Sequence, residues 1–249
     1  MAQLSDILPL PARPLIAIVG AGGKTTTMYT LARELAARGR RVVTTTTTNI
    51  YVPGPDETES LLVDSEAPRL LDKLSDSWQR HHHITVASEV ISAGKLRGLP
   101  PELPVLFFQR GAEAVIVEAD GARHRRIKAP AGHEPVIPLH TNLVLLLLSA
   151  EALNQPLSGE IAHRPEILAR LTGIAPGDLL TPVVVAYLLL NEQGGLKHVP
   201  EGAPVCVLIT HATAERRALV EELARLLMQS GKIAGVYSAE RSGEWDRSV

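Results

Sequence analysis

With 249 residues, 45% of them hydrophobic and 21% charged, the chain has the apolar content of a folded protein with a sizeable core. A formal net charge of −2 leaves no bulk electrostatic footprint for nucleic acid or an acidic membrane. The single cysteine, Cys206, cannot form an internal disulfide, no apolar run reaches membrane-spanning length, and residues 1–14 lack a signal-peptide pattern, so a cytoplasmic location is expected.

After a proline-punctuated lead-in with room for one helical turn at Leu4–Leu8, Leu15–Val19 forms an apolar run of strand length. Gly20, Ala21, Gly22 and Gly23 break it. Lys24, Thr25 and Thr26 then open a segment with helical apolar spacing through Leu31, Ala32, Leu35 and Ala36, with Gly39 as its expected stop. A glycine-rich turn between strand and helix aims free backbone N–H groups at an anion, and a neighbouring lysine suits phosphate. The full G-x-x-x-x-G-K-[ST] pattern would need a glycine where Ile18 stands, so only G-x-x-G-K-T is present. A turn that binds nothing is the bland alternative, but strand, glycines, Lys-Thr and helix together favour a phosphate loop. Lys24 is then expected at the β/γ-phosphates and Thr25 on Mg²⁺.

Arg41–Thr48 is β-branched almost throughout and reads as a second strand. Its threonines either face solvent or, through Thr46 and Thr47, line a ligand crevice beside the phosphate-loop strand. Tyr51–Glu59 reads as loop, Ala67–Trp78 as helix and Ile84–Ser88 as strand. His81, His82 and His83 point in different directions and read as a solvated turn. Gly94–Pro104 is loop-rich, followed by a short helix around Glu102–Arg110.

Ala114–Asp120 is an apolar strand that ends in acids, with Glu118 and Asp120 on one face. They are surface acids at an edge, or, since burying two unpartnered carboxylates is costly, ligands near Mg²⁺. A basic, proline-rich loop follows, Arg123–Pro138. Its Arg123, Arg125, Arg126 and Lys128 either clamp phosphates or a second anionic substrate, or form a solvated charge run; His133 and Glu134 lie between prolines. Asn142–Ser149 reads as strand. Two helices, Pro165–Leu171 and one from Thr181, make an insertion at about 150–200. Val205–Ile209 is strand, Thr213–Ser230 amphipathic helix, Ile233–Ser238 strand, and the tail from Arg241 reads as frayed. The alternation of strand and helix implies one α/β domain over 1–249, P-loop NTPase-like, with a mostly parallel sheet flanked by helices.

GAGGKTTT at Gly20–Thr27, TTTTN at Thr45–Asn49, VEADGAR at Val117–Arg123, KAPAGHEPVIP at Lys128–Pro138, HRPE at His163–Glu166 and LLTP at Leu179–Pro182 together resemble the YqeC family. The resemblance implies a P-loop NTP-binding fold that uses Mg²⁺ and ATP or another NTP. It also implies an accessory role in maturing a selenium-dependent molybdenum hydroxylase, with the hydroxylase or its cofactor precursor as partner. Two departures matter. Asn49 stands where the family tends to carry His. Thr210-His211-Ala212-Thr213 replaces an Asn-Lys/Gln-x-Asp-like motif, so no local carboxylate is present to grip guanine. Three functions remain open at this point. One is an NTP hydrolase or transferase, with Lys24, Glu118 and Asp120 at the phosphates and Lys128 and His133 facing the second substrate. Another is a nucleotide-gated binding module for the apo-hydroxylase. The third is a Mur-like ATP-dependent ligase, weakened because no separate amino-acid-binding domain follows the sheet.

Overall fold

A computed structural model describes residues 2–91, 94–240 and 244–248. Among them the chain runs α1 (Leu4–Ile7), β1 (Leu15–Gly20), α2 (Lys24–Ala37), β2 (Val42–Thr46), β3 (Asn49–Tyr51), β4 (Ser60–Val63), α3 (Ala67–Ser77), β5 (His83–Ala87), β6 (Glu89–Ile91) and β7 (Lys95–Arg97). A 3₁₀ segment, Pro104–Arg110, leads to β8 (Ala114–Glu118), β9 (Ile127–Lys128), β10 (Leu143–Ser149), β11 (Ala162–His163), α4 (Pro165–Thr172) and α5 (Pro182–Leu190). β12 (Val205–Thr210), α6 (Arg217–Gln229), β13 (Gly235–Ser238) and β14 (Asp246–Arg247) complete it. No helix among these residues is long and apolar enough to cross a membrane.

The central sheet has nine strands in the order β14-β13-β12-β10-β1-β8-β2-β5-β4. Every pairing in it is parallel except β13 with β14. A parallel sheet covered on both faces needs continuously apolar strands rather than alternating ones. Leu15–Gly20 and Leu143–Ser149 are buried at every position. One core packs β10, β12, α4, α5 and α6 together through residues such as Leu146, Leu168, Leu188 and Leu223; another joins α1 and α2 to the sheet through Leu4, Met28 and Leu145. The helices between β10 and β12 are thus built into the main core. Proline stands at the start of both, and Thr181 Oγ1 caps α5 by accepting from Val184 N at 3.4 Å.

Several local readings need correction. β2 is separated from β1 by β8, so the threonine strand does not neighbour the phosphate-loop strand. Its hydroxyls are bonded within the protein: Thr44 to His83 Nε2 and Thr85, and Thr45 to Val86 O. His83 is not part of a solvated turn. It is buried in β5, and desolvation holds its imidazole down at about 4. The stretches read as loops at Tyr51–Glu59 and Gly94–Pro104 contribute to a small antiparallel sheet, β3-β7-β6. Strands of three residues are too short to show alternation. Of the tail read as frayed from Arg241, residues 241–243 lie outside the described residues. Beyond them Trp245 is buried, exchanges backbone hydrogen bonds with Ala2 at 2.9 and 3.0 Å, and leads into β14. A lone buried tryptophan in a polar tail carries no periodic signal.

Candidate functional site

The parallel order brings the C-terminal ends of β1, β8, β10 and β12 to one edge, where open α/β sheets place their ligands. The turn after β1 is tight. Gly20 has φ +95° and a side chain there would lie 2.2 Å from Leu147 O; Gly22 has φ +80° and a side chain would lie 2.5 Å from Ser149 N. Only glycine satisfies both the conformation and the space. Ala21 N and Gly22 N donate to Leu147 O (2.9 Å) and Arg125 O (3.2 Å), which ties the turn to the neighbouring strand and to the basic loop. Gly23 is the N-cap of α2, no side chain caps that helix, and Thr26 is exposed on its first turn.

Lys24 is the centre of the charge arrangement. Its Nζ donates to Gly20 O at 2.8 Å and lies 3.3 Å from Asp120 Oδ1 and 3.8 Å from Glu118 Oε1. The side chain is only 4% exposed, so it is not the near-surface charge that loop lysines suggest. Thr25 Oγ1 donates to Glu118 Oε2 at 2.6 Å, and Gly20 N to Asp120 Oδ2 at 3.1 Å. Burial pushes the Glu118 carboxyl above the usual range, against the pull of Lys24 and Thr25. Asp120 Oδ1 is buried and accepts no hydrogen bond. A hydroxyl and two carboxylates, with Asp120 Oδ1 ion-paired to Lys24 at 3.3 Å and without a hydrogen bond, form the hard donor set that Mg²⁺ prefers, so Thr25, Glu118 and Asp120 fit that ion. Among the described residues no group of three or more His, Cys, Asp or Glu could hold a metal, so the remaining ligands would come from phosphate and water.

The network continues away from the phosphate loop. Lys128 Nζ lies 3.0 Å from Asp120 Oδ2 and 2.8 Å from Glu134 Oε2, and donates to Gly121 O at 2.6 Å. Arg164, at φ +62° before α4, donates to both oxygens of Glu134 at 2.6 and 3.2 Å. Burial alone would raise the Glu134 carboxyl, but the hydrogen bonds and charges of Lys128 and Arg164 outweigh it and hold it at about 2. Lys24, Asp120, Lys128, Glu134 and Arg164 therefore form one alternating chain of charge, buried except at the half-buried Arg164. Lys128 does not face a second substrate: its side chain is 1% exposed and bonded to three acceptors.

The other expected residues scatter. Thr46 Oγ1 donates to Glu118 O and Thr47 Oγ1 to Val136 O, both at 2.7 Å, which steadies the acid-bearing strand and its loop. Arg126 pairs with Glu151 at 2.7 Å. Arg123 and His133 are exposed on the basic loop. Sequence reasoning missed Arg164 and passed over Ser149 and His211. Arg164 lies in the HRPE stretch, whose proline marked only a helix start. Ser149 Oγ and Thr210 Oγ1 lie 3.2 and 3.0 Å from His211 Nδ1, and Thr210 Oγ1 donates to Gly22 O at 2.6 Å.

This geometry sits within a matched family region. The family model described as YqeC protein matches residues 16–166, which carry the phosphate loop, the acids and the Glu134–Arg164 pair. The chain belongs to the YqeC family. It is 34% identical over 191 residues to the uncharacterized protein YqeC of Escherichia coli (strain K12), a match that covers 76% of this chain and 72% of that protein. In this YqeC-family protein the matched region extends from β1 into α4, so the whole buried charge chain falls inside it.

Proposed function

We propose that this YqeC-family protein binds a Mg²⁺-nucleoside triphosphate at the edge formed by β1 and β8 and serves as an accessory in maturing a molybdenum hydroxylase. The single observation that carries the nucleotide reading is the convergence of Lys24, Thr25, Glu118 and Asp120 at a glycine turn. Phosphates would take Lys24 from Gly20 O, and Mg²⁺ would be held by Thr25 with Glu118 or Asp120. The ion supplies charge neutralisation for the phosphate oxygens. The chain's own residues bind and orient. Glycine N–H groups and Lys24 receive the anion, and Asp120 or Glu118 is positioned to orient a nucleophile. The hydroxylase role rests on the family resemblance alone.

A gated binding module is the second reading, favoured by the continuous charge chain from Lys24 to Arg164. Moving Lys24 onto phosphate alters the partner of Asp120, and Asp120 shares Lys128 with the loop and α4. Isothermal titration with MgATP and MgGTP tests nucleotide binding. Phosphate release stimulated by small substrates supports the enzyme, and release stimulated only by apo-hydroxylase supports the gate. Absence of any nucleotide or tripolyphosphate binding would refute both.

A further inference from the structure

The turn after β1 carries a contact that works against its own ligand. A phosphate cradle acts through backbone N–H groups left without a partner. Here Gly22 N already donates to Arg125 O at 3.2 Å, and the Lys24 ammonium donates to Gly20 O at 2.8 Å. The Ala21 N–H continues the pairing of β1 with β10 through Leu147 O, so it belongs to the sheet. Gly22 N is therefore the first group of the turn that a phosphate oxygen can take, and the Arg125 carbonyl already occupies it.

The segment that delivers this carbonyl is short and held at both ends. Ala122 is buried; downstream, Arg126 N donates to Ile161 O at 2.9 Å and Arg126 O accepts from Ser149 N at 2.8 Å. Only Arg123, His124 and Arg125 lie between these anchors. Arg125 N donates to Ala122 O at 3.0 Å and closes a four-residue turn whose central residues, Arg123 and His124, have φ of +48° and +59°. Two successive positive values are what a type I′ turn demands, and that turn favours glycine, asparagine or aspartate. Among the described residues no other two adjacent non-glycine residues share this conformation. Backbone strained in this way persists only where its surroundings hold it. The hold is Tyr51 of β3. Its ring stacks on the His124 imidazole with centroids 6.1 Å apart and planes at 27°, and Lys95 Nζ lies 4.9 Å from the Tyr51 centroid. Tyr51 and His124 are both exposed, so the stack belongs to neither main core.

We propose that residues 123–125 are an autoinhibitory plug, held closed on the phosphate loop by the Tyr51–His124 stack and displaced when a polyphosphate takes the Gly22 N–H. The plug rests on the proposed phosphate site and adds how that site is kept shut. Because the anion binds only the open form, its apparent affinity is reduced by the open fraction, and any change that loosens the plug tightens binding. The test is isothermal titration, with Mg²⁺, of inorganic tripolyphosphate, a probe with no base or sugar for the Tyr51 ring to touch. Tyr51→Ala removes one aromatic stack and should bind the probe about fivefold tighter than wild type. Arg123→Gly and Arg123→Ala lose the same guanidinium and differ at the backbone. Glycine suits the left-handed turn and alanine does not, so Arg123→Ala should bind about fivefold tighter than Arg123→Gly. Both wild-type side chains are exposed, so folding is expected to survive. If wild type binds, a Tyr51→Ala variant no tighter than it, or equal affinity of the two Arg123 variants, overturns the plug and leaves the phosphate site standing. Binding by Tyr51→Ala where wild type shows none supports plug and site together. No binding by any of the four proteins overturns both.

Discussion

Replacing Lys128 with methionine tests the buried charge chain most directly. The ammonium neutralises two carboxylates at once, 3.0 Å from Asp120 and 2.8 Å from Glu134, with its side chain 1% exposed. Methionine retains most of the aliphatic length, so the cavity left is small and the loss is electrostatic. Asp120 would keep Lys24 and Gly20 N, and Glu134 would keep Arg164. The chain of three cations and three carboxylates, Glu118 included, would nevertheless carry one uncompensated negative charge. Breaking a buried pair on one side costs about 3–5 kcal/mol. At about 2–4 °C per kcal/mol for a chain of this size, the melting temperature should fall by roughly 6–20 °C. Lys128→Met with Glu134→Gln removes the imbalance and should recover part of the loss. Calorimetry of wild type, both single variants and the double variant completes the cycle. A single variant that melts within 2 °C of wild type, or a double variant no better than the single, would refute the reasoning.

Lys24→Ala should abolish binding of MgATP and of tripolyphosphate by titration, and should also lower the melting temperature, because Lys24 is itself buried against Asp120. Asp120→Asn should weaken binding in Mg²⁺ far more than in chelator, since an amide loses the charge a hard cation prefers; equal weakening would transfer the metal role to Glu118. Gly22→Ala should destabilise by about 1–3 kcal/mol in urea unfolding, because the added carbon meets Ser149 N at 2.5 Å in left-handed backbone. His83 is held neutral to about pH 4, so between its ordinary value near 6.5 and 4 the unfolded chain binds more protons than the folded one. Stability should therefore fall as pH drops through that window, by about 3 kcal/mol from His83. His163, lowered to about 4 by burial and by Arg164 and Lys128, adds to it. His83→Gln should flatten the slope measured by urea unfolding, and an unchanged slope would count against His83.

What could be read from the residues was what repeats or clusters locally. Uniformly apolar runs such as Leu143–Ser149 announced buried parallel strands, and the glycines before Lys24 announced a tight turn, because each property is set by a few adjacent residues. The neighbour of β2 was not legible, since strand order is decided by crossover packing rather than by any strand's own sequence. Nor was the role of Lys128. A lysine in a run of arginines reads as a clamp for an anion or as a solvated charge until the fold places Asp120 and Glu134 beside it. His83 hid for the same reason: two exposed-looking histidines precede it, and only the strand register turns the third inward.

The pairing of Ala2 with Trp245 has a bearing on biosynthesis. Leu4 and Leu8 share a core with Met28 and Leu31 and also with Tyr237 and Trp245, so part of their apolar surface stays uncovered until roughly 240 further residues have been made. At about 5–20 residues per second, a nascent chain exposes that surface for roughly 10–50 s. The unfinished chain is therefore expected to bind ribosome-associated chaperones. Shortening the C-terminus before Trp245 should leave a product that accumulates with them, even though the phosphate loop and its acids are intact.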